Sequence, residues 1–221
     1  MRTRSLSHFA LVSPKERTKW YYSSGLSNVL SKELRFLFET HSEYISFPFK
    51  YIFDKIGALS FVMELDPKGM FAGSSFSYAT ARDWAKLGQL FLQNGTWKGE
   101  RILAEEVVNF AQIPAPGSGG HYGAGVWLNP AKVDVQTYNE LPSSNKHKKQ
   151  KEWITTAMPS DTYFFSGYQG QYVMIVPSRE LVIVRLGLYD EDDAMAEGRV
   201  PKFSKSLLFQ EIVKFVDSSA L

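Results

Sequence analysis

The stretch SGYQGQYVMIVP, residues 166–177, joins a glycine-flanked bend directly to an apolar strand. A second apolar run, LVIVRLGL at residues 181–188, follows a short turn at residues 177–180. Two such runs on either side of a turn predict an antiparallel hairpin. The bend before them has two interpretations. It is either a plain glycine-rich entry to the hairpin, or the edge of a site that directs backbone N–H groups towards a developing oxyanion.

Composition limits the classes of protein to which the chain can belong. Its 221 residues can hold one good-sized core, or one domain with a subdomain, and 44% hydrophobic residues indicate a packed protein rather than extensive disorder. A formal net charge of +2 argues against nucleic acid as the main partner. The basic run at residues 146–151 is interpreted as a solvated loop. Because the chain has no cysteine, disulfides and thiol catalysis are excluded.

Several common kinds of site and segment find no support in the sequence. Walker and dinucleotide fingerprints and a Gly-x-Ser-x-Gly elbow are absent, and the His residues lack metal-ligand spacing, so neither a cofactor nor a metal is predicted. No apolar run approaches the length of a bilayer span. Residues 1–12 begin with basic residues, but their apolar segment is too short to predict a signal peptide. Localisation therefore stays open.

Helical periodicity dominates the first half of the chain. Apolar residues between positions 26 and 38 share one helical face, with Ser23 or Ser24 as the natural N-cap. The clearest helix opens at residues 79–80 and ends at residues 94–95, where Asn-Gly provides C-cap chemistry. The other predictions here are a helix at 47–56 entered through Pro48 and closed by Gly57, strand and loop over 58–78 with a bend at 73–75, and a helix near 104–111.

The second half is predicted to be mainly sheet. A loop at residues 114–120 leads to a strand at 122–128, and residues 130–152 are interpreted as a polar surface insertion. The hairpin follows, and residues 203–216 form an amphipathic closing helix. Helices followed by strands and a terminal helix predict an α+β fold, in which helices pack on an antiparallel sheet.

Three sequence blocks are decisive for assigning a family. They are WYYSSGLSNVLS at residues 20–31, YATARDWA with FLQNGTWKGERIL at residues 78–103, and residues 166–188. In this order they resemble the serine β-lactamase-related hydrolases, most closely the branch of class C-like esterases and 6-aminohexanoate-dimer hydrolases. The resemblance covers roughly residues 18–190. It implies a β-lactamase/transpeptidase-like fold, with a mainly helical part at about 20–115 and a sheet part with the terminal helix at about 120–221.

The resemblance also implies a division of labour. In such enzymes a Ser-x-x-Lys motif supplies the nucleophile and a lysine, and a Tyr-x-Asn motif supplies a tyrosine that relays protons. A strand related to Lys-Thr-Gly offers a backbone N–H to the oxyanion. By position Tyr22 fits the relay tyrosine, with Ser24 in the Asn slot. The bend from Gly167 to Gly170 fits the third wall, with the Tyr168 N–H as the oxyanion donor.

Two departures from the family pattern affect the predicted substrate. The Ser24 hydroxyl cannot offer both the NH₂ donors and the carbonyl acceptor of an amide. An ester or small amide is therefore favoured over a β-lactam. The residues at 166–168 also lack the basic residue of Lys-Thr-Gly, which removes one electrostatic contact to a substrate carboxylate.

The nucleophile motif is not found where the family places it. Ser-x-x-Lys lies well before the tyrosine motif in the family, whereas only 21 residues precede Tyr22 here. The sole literal match, at residues 143–146, falls in the polar insertion and is interpreted as a coincidence. We expect the chain to be the C-terminal part of a longer hydrolase. A true fragment, a mis-called start and a shortened inactive relative stay open as explanations.

Two functional hypotheses follow. In the first, the chain is part of a serine hydrolase that acts through an acyl-enzyme on a small ester, amide or lactam, and it is inactive alone. In the second, it is a non-catalytic ligand-binding or regulatory module. Without a partner lysine, Tyr22 is expected to be an ordinary phenol, with a pKa near 10. We also expect exposed apolar surface and poor solubility. The predicted partner is a small-molecule substrate, and the oligomeric state stays open.

Overall fold

The computed structural model describes residues 20–129, 158–187 and 205–219. In chain order the helices are α1 (Ser24–Arg35), α2 (His41–Pro48), α3 (Ala81–Leu92), α4 (Glu105–Ala111) and α5 (Lys205–Ser219). The strands are β1 (Val62–Met63), β2 (Ser77–Tyr78), β3 (Thr96–Trp97), β4 (Glu100–Arg101), β5 (Trp127–Leu128), β6 (Tyr163–Gly167), β7 (Gln171–Val176) and β8 (Leu181–Arg185). Helices packed on an antiparallel sheet confirm the predicted α+β class.

The main sheet has the strand order β5–β6–β7–β8, and each neighbouring pair is antiparallel. The predicted hairpin is β7 and β8, whose register pairs Val176 with Leu181. Between them lies a 3₁₀ turn at Pro177–Arg179, followed by Glu180 in the left-handed region. Because β7 lies between two strands, it belongs to the interior of this sheet and is buried along most of its length.

The sheet is covered by helices on both faces, because successive side chains of a strand point to opposite sides. On one face Phe164, Met174 and Ile183 pack with Phe209 and Val213 of α5. On the other face Tyr163 and Ile175 pack with Phe91 and Leu92 of α3. This alternation fixes the register of the strands, since a slip of one residue would turn every apolar side chain to the wrong face.

Helix α3 lies close against the sheet through a glycine. A Cβ atom placed on Gly88 would come within 2.7 Å of Val182 Cγ1 and 2.8 Å of Val173 Cγ1, so only glycine permits this approach. The opposite side of α3 places the fully buried Leu90 in a second core cluster with Phe53 and Phe61. The predicted start and end of this helix are confirmed, with Thr80 as the N-cap and positive φ angles at residues 94 and 95.

Helix α1 is attached to α2 and to the β1–β2 ribbon by a buried network of polar groups. The Ser31 Oγ lies 3.0 Å from the Tyr44 hydroxyl and donates to the Phe71 carbonyl at 2.8 Å. The Phe71 N–H in turn donates to the Tyr44 hydroxyl at 2.9 Å. Tyr44 is fully buried, so these hydrogen bonds satisfy polar groups that water does not reach.

The predicted helix at residues 47–56 begins earlier in the structure. Thr40 and Glu43 form a capping box, which starts α2 at His41 and leaves Pro48 at the end of the helix rather than at its entrance. The chain then continues as a π-helical turn at Phe49–Phe53. Gly57 has a φ of 67°, as the predicted C-cap requires. The sequence pattern missed the true start because α2 has little apolar periodicity of its own.

The predicted strand at residues 122–128 is mostly a turn. Only β5 pairs with β6, while Tyr122 forms an isolated bridge with Trp127 across the intervening turn. A Cβ atom on Gly123 would lie 1.9 Å from the Ala111 carbonyl oxygen, so the backbone passes too close to α4 for an extended strand with a side chain there. The short helix near residue 104 is confirmed as α4. The predicted insertion at 130–152 and the literal Ser-x-x-Lys match lie outside the described residues.

Candidate functional site

Tyr22 lies immediately before the start of α1. The N-cap of this helix is Ser23, whose Oγ accepts a hydrogen bond from the Gly25 N–H at 3.1 Å. Ser24 is therefore the first helical residue rather than the cap, and it is exposed. The cap turns the chain out of the helix at this point, which directs the ring of Tyr22 away from the helix axis and towards the sheet.

The ring of Tyr22 belongs to a cluster of four aromatic side chains. We name Trp20, Tyr22, Tyr122 and Trp127 the aromatic cluster. The Tyr22 ring centroid lies 5.2 Å from that of Trp127 and 5.6 Å from that of Tyr122. Tyr122 and Trp127 stand edge to face at 4.9 Å. Trp20 adds contacts of 5.2–6.2 Å to the other three rings, which closes the cluster. Edge-to-face and tilted pairs at these separations are favourable.

The aromatic cluster controls the acidity of its two phenols. Partial burial raises the pKa of Tyr22 above its usual value. Burial, followed by the proximity of Tyr22, raises the pKa of Tyr122 to about 12. Both phenols are therefore protonated at neutral pH, since removing water from a group disfavours its charged form. The pKa of Tyr22 is therefore higher than that of the ordinary phenol expected from the sequence, and its phenolate is harder to form.

The glycine-flanked bend connects β6 to β7. It forms a 3₁₀ turn at Tyr168–Gly170, in which Gln169 has a φ of 56° and Gly170 a φ of 81°. Gly167 ends β6 and pairs with Gln171. The Tyr168 side chain is 85% exposed. The bend is therefore a tight corner at the end of the sheet, which leaves a large aromatic side chain in solvent.

Two side chains, Arg185 of β8 and Gln171 of β7, connect the bend to the end of β8. Arg185 donates from Nη1 to the Gly170 carbonyl. The Gln171 amide bridges to Gly187, accepting from its N–H at 2.9 Å and donating to its carbonyl at 2.7 Å. A basic side chain therefore does lie beside the bend, although it comes from β8 and not from the position that Lys-Thr-Gly would predict. Sequence reasoning missed Arg185 because only the pairing of β7 with β8 brings it there.

The main sheet connects the position of Tyr22 to that of the bend. Tyr22 packs on Trp127 of β5, and Trp127 pairs with Phe164 of β6. From Phe164 the chain runs about 10 Å along β6 to Gly167, where the bend begins, at roughly 3.3 Å per residue. The structure thus brings Tyr22 onto a strand adjacent to the one that ends in Gly167. Sequence reasoning assigned no role to Trp127 and Tyr122, although the density of aromatic residues at 20–22 and 122–127 was a usable signal.

A separate small concavity lies at the other end of β6. Its volume is about 170 Å³, and it is lined by residues that include Gln112, Leu128, Thr162 and Tyr163. Burial raises the pKa of Tyr163 strongly. Neither Tyr22 nor the bend contributes to this concavity. Among the described residues, no group of three or more His, Cys, Asp or Glu is arranged to hold a metal ion, and no helix is long and apolar enough to cross a membrane.

Comparison with solved structures identifies the architecture. The chain matches a proposed 6-aminohexanoate-dimer hydrolase from Bacillus anthracis with a TM-score of 0.58 and 19% identity, over 90% of this chain and 43% of that one. It matches a proposed β-lactamase from Bacteroides dorei (TM-score 0.57, 16% identity) over 91% of this chain and 59% of that one. A β-lactamase from Mycobacterium bovis matches equally well (TM-score 0.57, 16% identity), over 88% of this chain and 65% of that one.

These similarities establish a β-lactamase-like fold. No protein-family model matches the sequence, and no curated protein matches it. The chain spans between 43% and 65% of the length of the three solved chains. The described residues therefore correspond to part of the β-lactamase-like architecture seen in those structures.

Proposed function

Because the fold is β-lactamase-like, we propose that this chain supplies two walls of a serine-hydrolase site. Tyr22 is the proton-relay side chain of one wall, and the bend from Gly167 to Gly170 is the other, with the Tyr168 N–H facing the oxyanion. The chain is the C-terminal part of a hydrolase for small esters, amides or lactams. The observation that carries the proposal is the packing of Tyr22 on β5, next to the strand that ends in the bend.

The chemistry divides between this chain and a segment that carries the nucleophile. The serine Oγ attacks the substrate carbonyl carbon while its proton passes to the Tyr22 oxygen, and the carbonyl oxygen becomes an oxyanion. Collapse of this intermediate forms the acyl-enzyme, and Tyr22 gives its proton to the leaving group. Water then attacks the acyl carbon by the reverse sequence. A hydrogen-bond donor to the oxyanion typically raises kcat by about 10²–10³-fold in such reactions. The contribution of the bend to kcat is therefore expected to be as large as that of the tyrosine.

The raised pKa of Tyr22 supports the expectation that the chain alone is inactive. A phenolate is needed to accept the serine proton, and burial among aromatic rings works against it. An ammonium group near the Tyr22 oxygen would reverse this effect, since an opposite charge within about 4–6 Å favours the ionised form. The lysine of a Ser-x-x-Lys motif supplies such a group in the family that the sequence resembles.

The expected substrate is a small ester or amide. Ser24 is exposed at the start of α1, two residues from Tyr22, where its hydroxyl can make one donated hydrogen bond to a substrate. An asparagine in this slot would instead offer two donors and a carbonyl acceptor. This difference favours substrates that require fewer polar contacts than a β-lactam.

A single-chain fusion tests the proposal. Residues 20–219 of this chain would replace the matched 43% of the Bacillus anthracis protein. We expect the fusion to hydrolyse p-nitrophenyl butyrate, and Tyr22→Phe to lower kcat by about 100-fold or more, which is the scale of general acid–base catalysis. Tyr21→Phe is the matched control, because Tyr21 and Tyr22 are 44% and 47% exposed. Full activity in Tyr22→Phe, or an equal loss in both variants, would reject the assigned role.

A non-catalytic ligand-binding or regulatory module is the second candidate. It is favoured by the aromatic cluster that packs against the ring of Tyr22. This reading predicts a folded fusion that binds p-nitrophenyl butyrate without turnover. Circular dichroism establishes folding, and equilibrium dialysis with the ester measures binding. A folded, binding and inactive fusion would replace the enzyme proposal with this one.

A further inference from the structure

The two strands of the hairpin separate where the glycine-flanked bend joins β7. Their backbone pairing ends at Tyr172 and Arg185. Continued by two residues, the same register would place Gly170 opposite Gly187. However, Gly170 has a φ of 81° and Gly187 a φ of 143°, so both residues leave the strand conformation. The backbone ladder therefore stops directly beside the bend.

Two side chains take over where the backbone ladder stops. The Gln171 amide accepts from the Gly187 N–H at 2.9 Å and donates to the Gly187 carbonyl at 2.7 Å. A hydrogen-bonded pair of residues in an antiparallel sheet exchanges the same two kinds of bond. Arg185 donates from Nη1 to the Gly170 carbonyl and, at 3.2 Å, to the Gly187 carbonyl. We name the side chain of Gln171 bonded to Gly187 the amide clamp.

The start of the bend makes room for the amide clamp. Gly167 pairs with Gln171 at the end of β6. A Cβ atom on Gly167 would lie 3.0 Å from Gln171 Cβ and 3.4 Å from its Cγ, so glycine leaves the space that this side chain occupies. The Gln171 side chain therefore packs on the residue that begins the bend and bonds to the residue beyond β8. It connects the ends of three neighbouring strands.

The backbone of the bend needs such support. Gln169 has a φ of 56° and a ψ of 35°, which is the left-handed region that residues with a Cβ atom rarely adopt. Strain of this kind persists where the surrounding structure holds it. The side chain of Tyr168 is 85% exposed and adds little packing to the bend. The hydrogen bonds at the Gly170 end are therefore the contacts that can hold the strained conformation.

We infer that Gln171 is a positioning residue, which holds the bend so that the Tyr168 N–H keeps a fixed direction towards the oxyanion. This inference rests on the proposed function, because it takes that N–H to be the oxyanion donor. Catalytic groups have to be held within about 0.5 Å of the productive geometry. Gln171 acts through the backbone of the bend and not on the reacting atoms.

The exposure of Gly187 allows positioning to be separated from stability. When the amide clamp is broken, water can solvate the Gly187 N–H and carbonyl. The pairing of β6 with β7 and of β7 with β8 stays in place, since it does not use the Gln171 side chain. Loss of the amide clamp should therefore loosen the bend in a folded protein.

Nuclear magnetic resonance on the full 221-residue chain tests whether Gln171 holds the bend. Gln171→Met keeps the length of the side chain but removes both hydrogen bonds. We expect backbone order parameters near 0.85 for Tyr168 and Gln169 in the wild type, and below about 0.6 in this variant. Gln89→Met makes the same chemical change at an exposed position of α3 and should leave both values unchanged.

A variant at the other side of the amide clamp provides an independent check. A Cβ atom on Gly187 would meet only Arg185 Nη2, at 4.0 Å, so Gly187→Ala disturbs the backbone conformation rather than the packing. It should lower the same order parameters. Because both variants break one contact, the double variant should be no more mobile at the bend than either single variant.

Kinetics in the single-chain fusion test the catalytic consequence. Gln171→Met should lower kcat for p-nitrophenyl butyrate by about tenfold and change KM by less than about twofold. The expected loss is smaller than the 10²–10³-fold typical of removing an oxyanion donor, because the donor is loosened and not removed. Gln89→Met should keep full kcat. Circular dichroism verifies that each variant is folded.

Four results would overturn the inference. They are unchanged order parameters in Gln171→Met, equal mobility in Gln89→Met, additive effects of Gln171→Met and Gly187→Ala, and a fusion in which KM rises while kcat stays the same. An inactive wild-type fusion would reject the proposed function instead. The order parameters of the full chain would then still decide whether Gln171 holds the bend.

Discussion

Helices α1 and α3 are close counterparts with opposite outcomes. Each has twelve residues and begins at a hydroxyl N-cap, Ser23 for α1 and Thr80 for α3. Each has one apolar side. Yet Leu90 of α3 is fully buried, whereas Leu30 of α1 is 61% exposed. The difference shows that periodicity defines which side of a helix is apolar, while the neighbouring elements decide whether that side is covered.

The reason lies in what flanks each helix. Helix α3 lies between the cluster around Phe53 and the sheet, so its apolar residues have partners on both sides. Among the described residues, helix α1 has partners on the side of Ser31, through Tyr44 and the loop at Gly73. Among the described residues, both sides of α3 are covered by packed side chains, whereas only one side of α1 is covered.

The largest expected effect compares the two leucines directly. Leu90→Ala should lower the free energy of unfolding by about 2–5 kcal/mol, because it opens a cavity in a packed core. Leu30→Ala should change it by no more than about 0.5 kcal/mol, as expected for an exposed position. Urea unfolding followed by tryptophan fluorescence measures both. Similar losses in the two variants would show that Leu30 is buried in the isolated chain, which would contradict the contrast between the two helices.

A second prediction concerns the polar contacts that anchor α3. Asp83 is buried and accepts hydrogen bonds from the Ser60 N–H at 2.8 Å and from Lys86 Nζ at 2.7 Å. Asp83→Asn should destabilise the chain by about 1–3 kcal/mol at neutral pH, because it weakens buried hydrogen bonds to a charged group. Asp54→Asn, at an exposed position, is the control and should have little effect.

The same carboxylate makes stability depend on pH. Hydrogen bonds from Lys86 and Ser60 lower the pKa of Asp83 to about 2. In the unfolded chain its pKa is about 3.9. The contribution of Asp83 is therefore complete above that value and disappears as the pH falls towards 2, since the unfolded state then binds the proton more readily. The wild-type chain should lose more unfolding free energy between pH 4 and pH 2 than Asp83→Asn. Equal losses of unfolding free energy in the two proteins over this pH range would contradict the lowered pKa of Asp83.

The smallest expected effect distinguishes the two serines at the start of α1. Ser23→Ala should cost about 1 kcal/mol, because it removes the acceptor for the Gly25 N–H. Ser24→Ala should change stability by less than about 0.5 kcal/mol, since Ser24 is exposed within the first turn. Thermal unfolding by circular dichroism resolves the difference. A larger loss of stability in Ser24→Ala would show that Ser24, and not Ser23, is the N-cap.

Sequence reasoning recovered the fold better than the site. The hairpin, α3 and α4 are in place because apolar periodicity and turn residues act locally. The start of α2 was missed because little apolar periodicity follows the capping box of Thr40 and Glu43. The functional roles of Tyr22, Ser24, Tyr168, Gly167 and Gly170 stay predictions. The structure adds the surroundings that no local pattern contains, chiefly the packing of Tyr22 on Trp127 and the contact of Arg185 with the bend.

The sequence alone determined that this chain is α+β, with a strand hairpin behind a glycine bend and a tyrosine ahead of a helix cap. These features depend on side-chain size, turn chemistry and periodicity over a few residues. Only the tertiary structure decided that Tyr22 packs among aromatic rings and that α1 buries Ser31 while exposing Leu26 and Leu30. Both outcomes depend on contacts between residues that lie far apart in the chain, and such contacts leave no periodic signal in either segment.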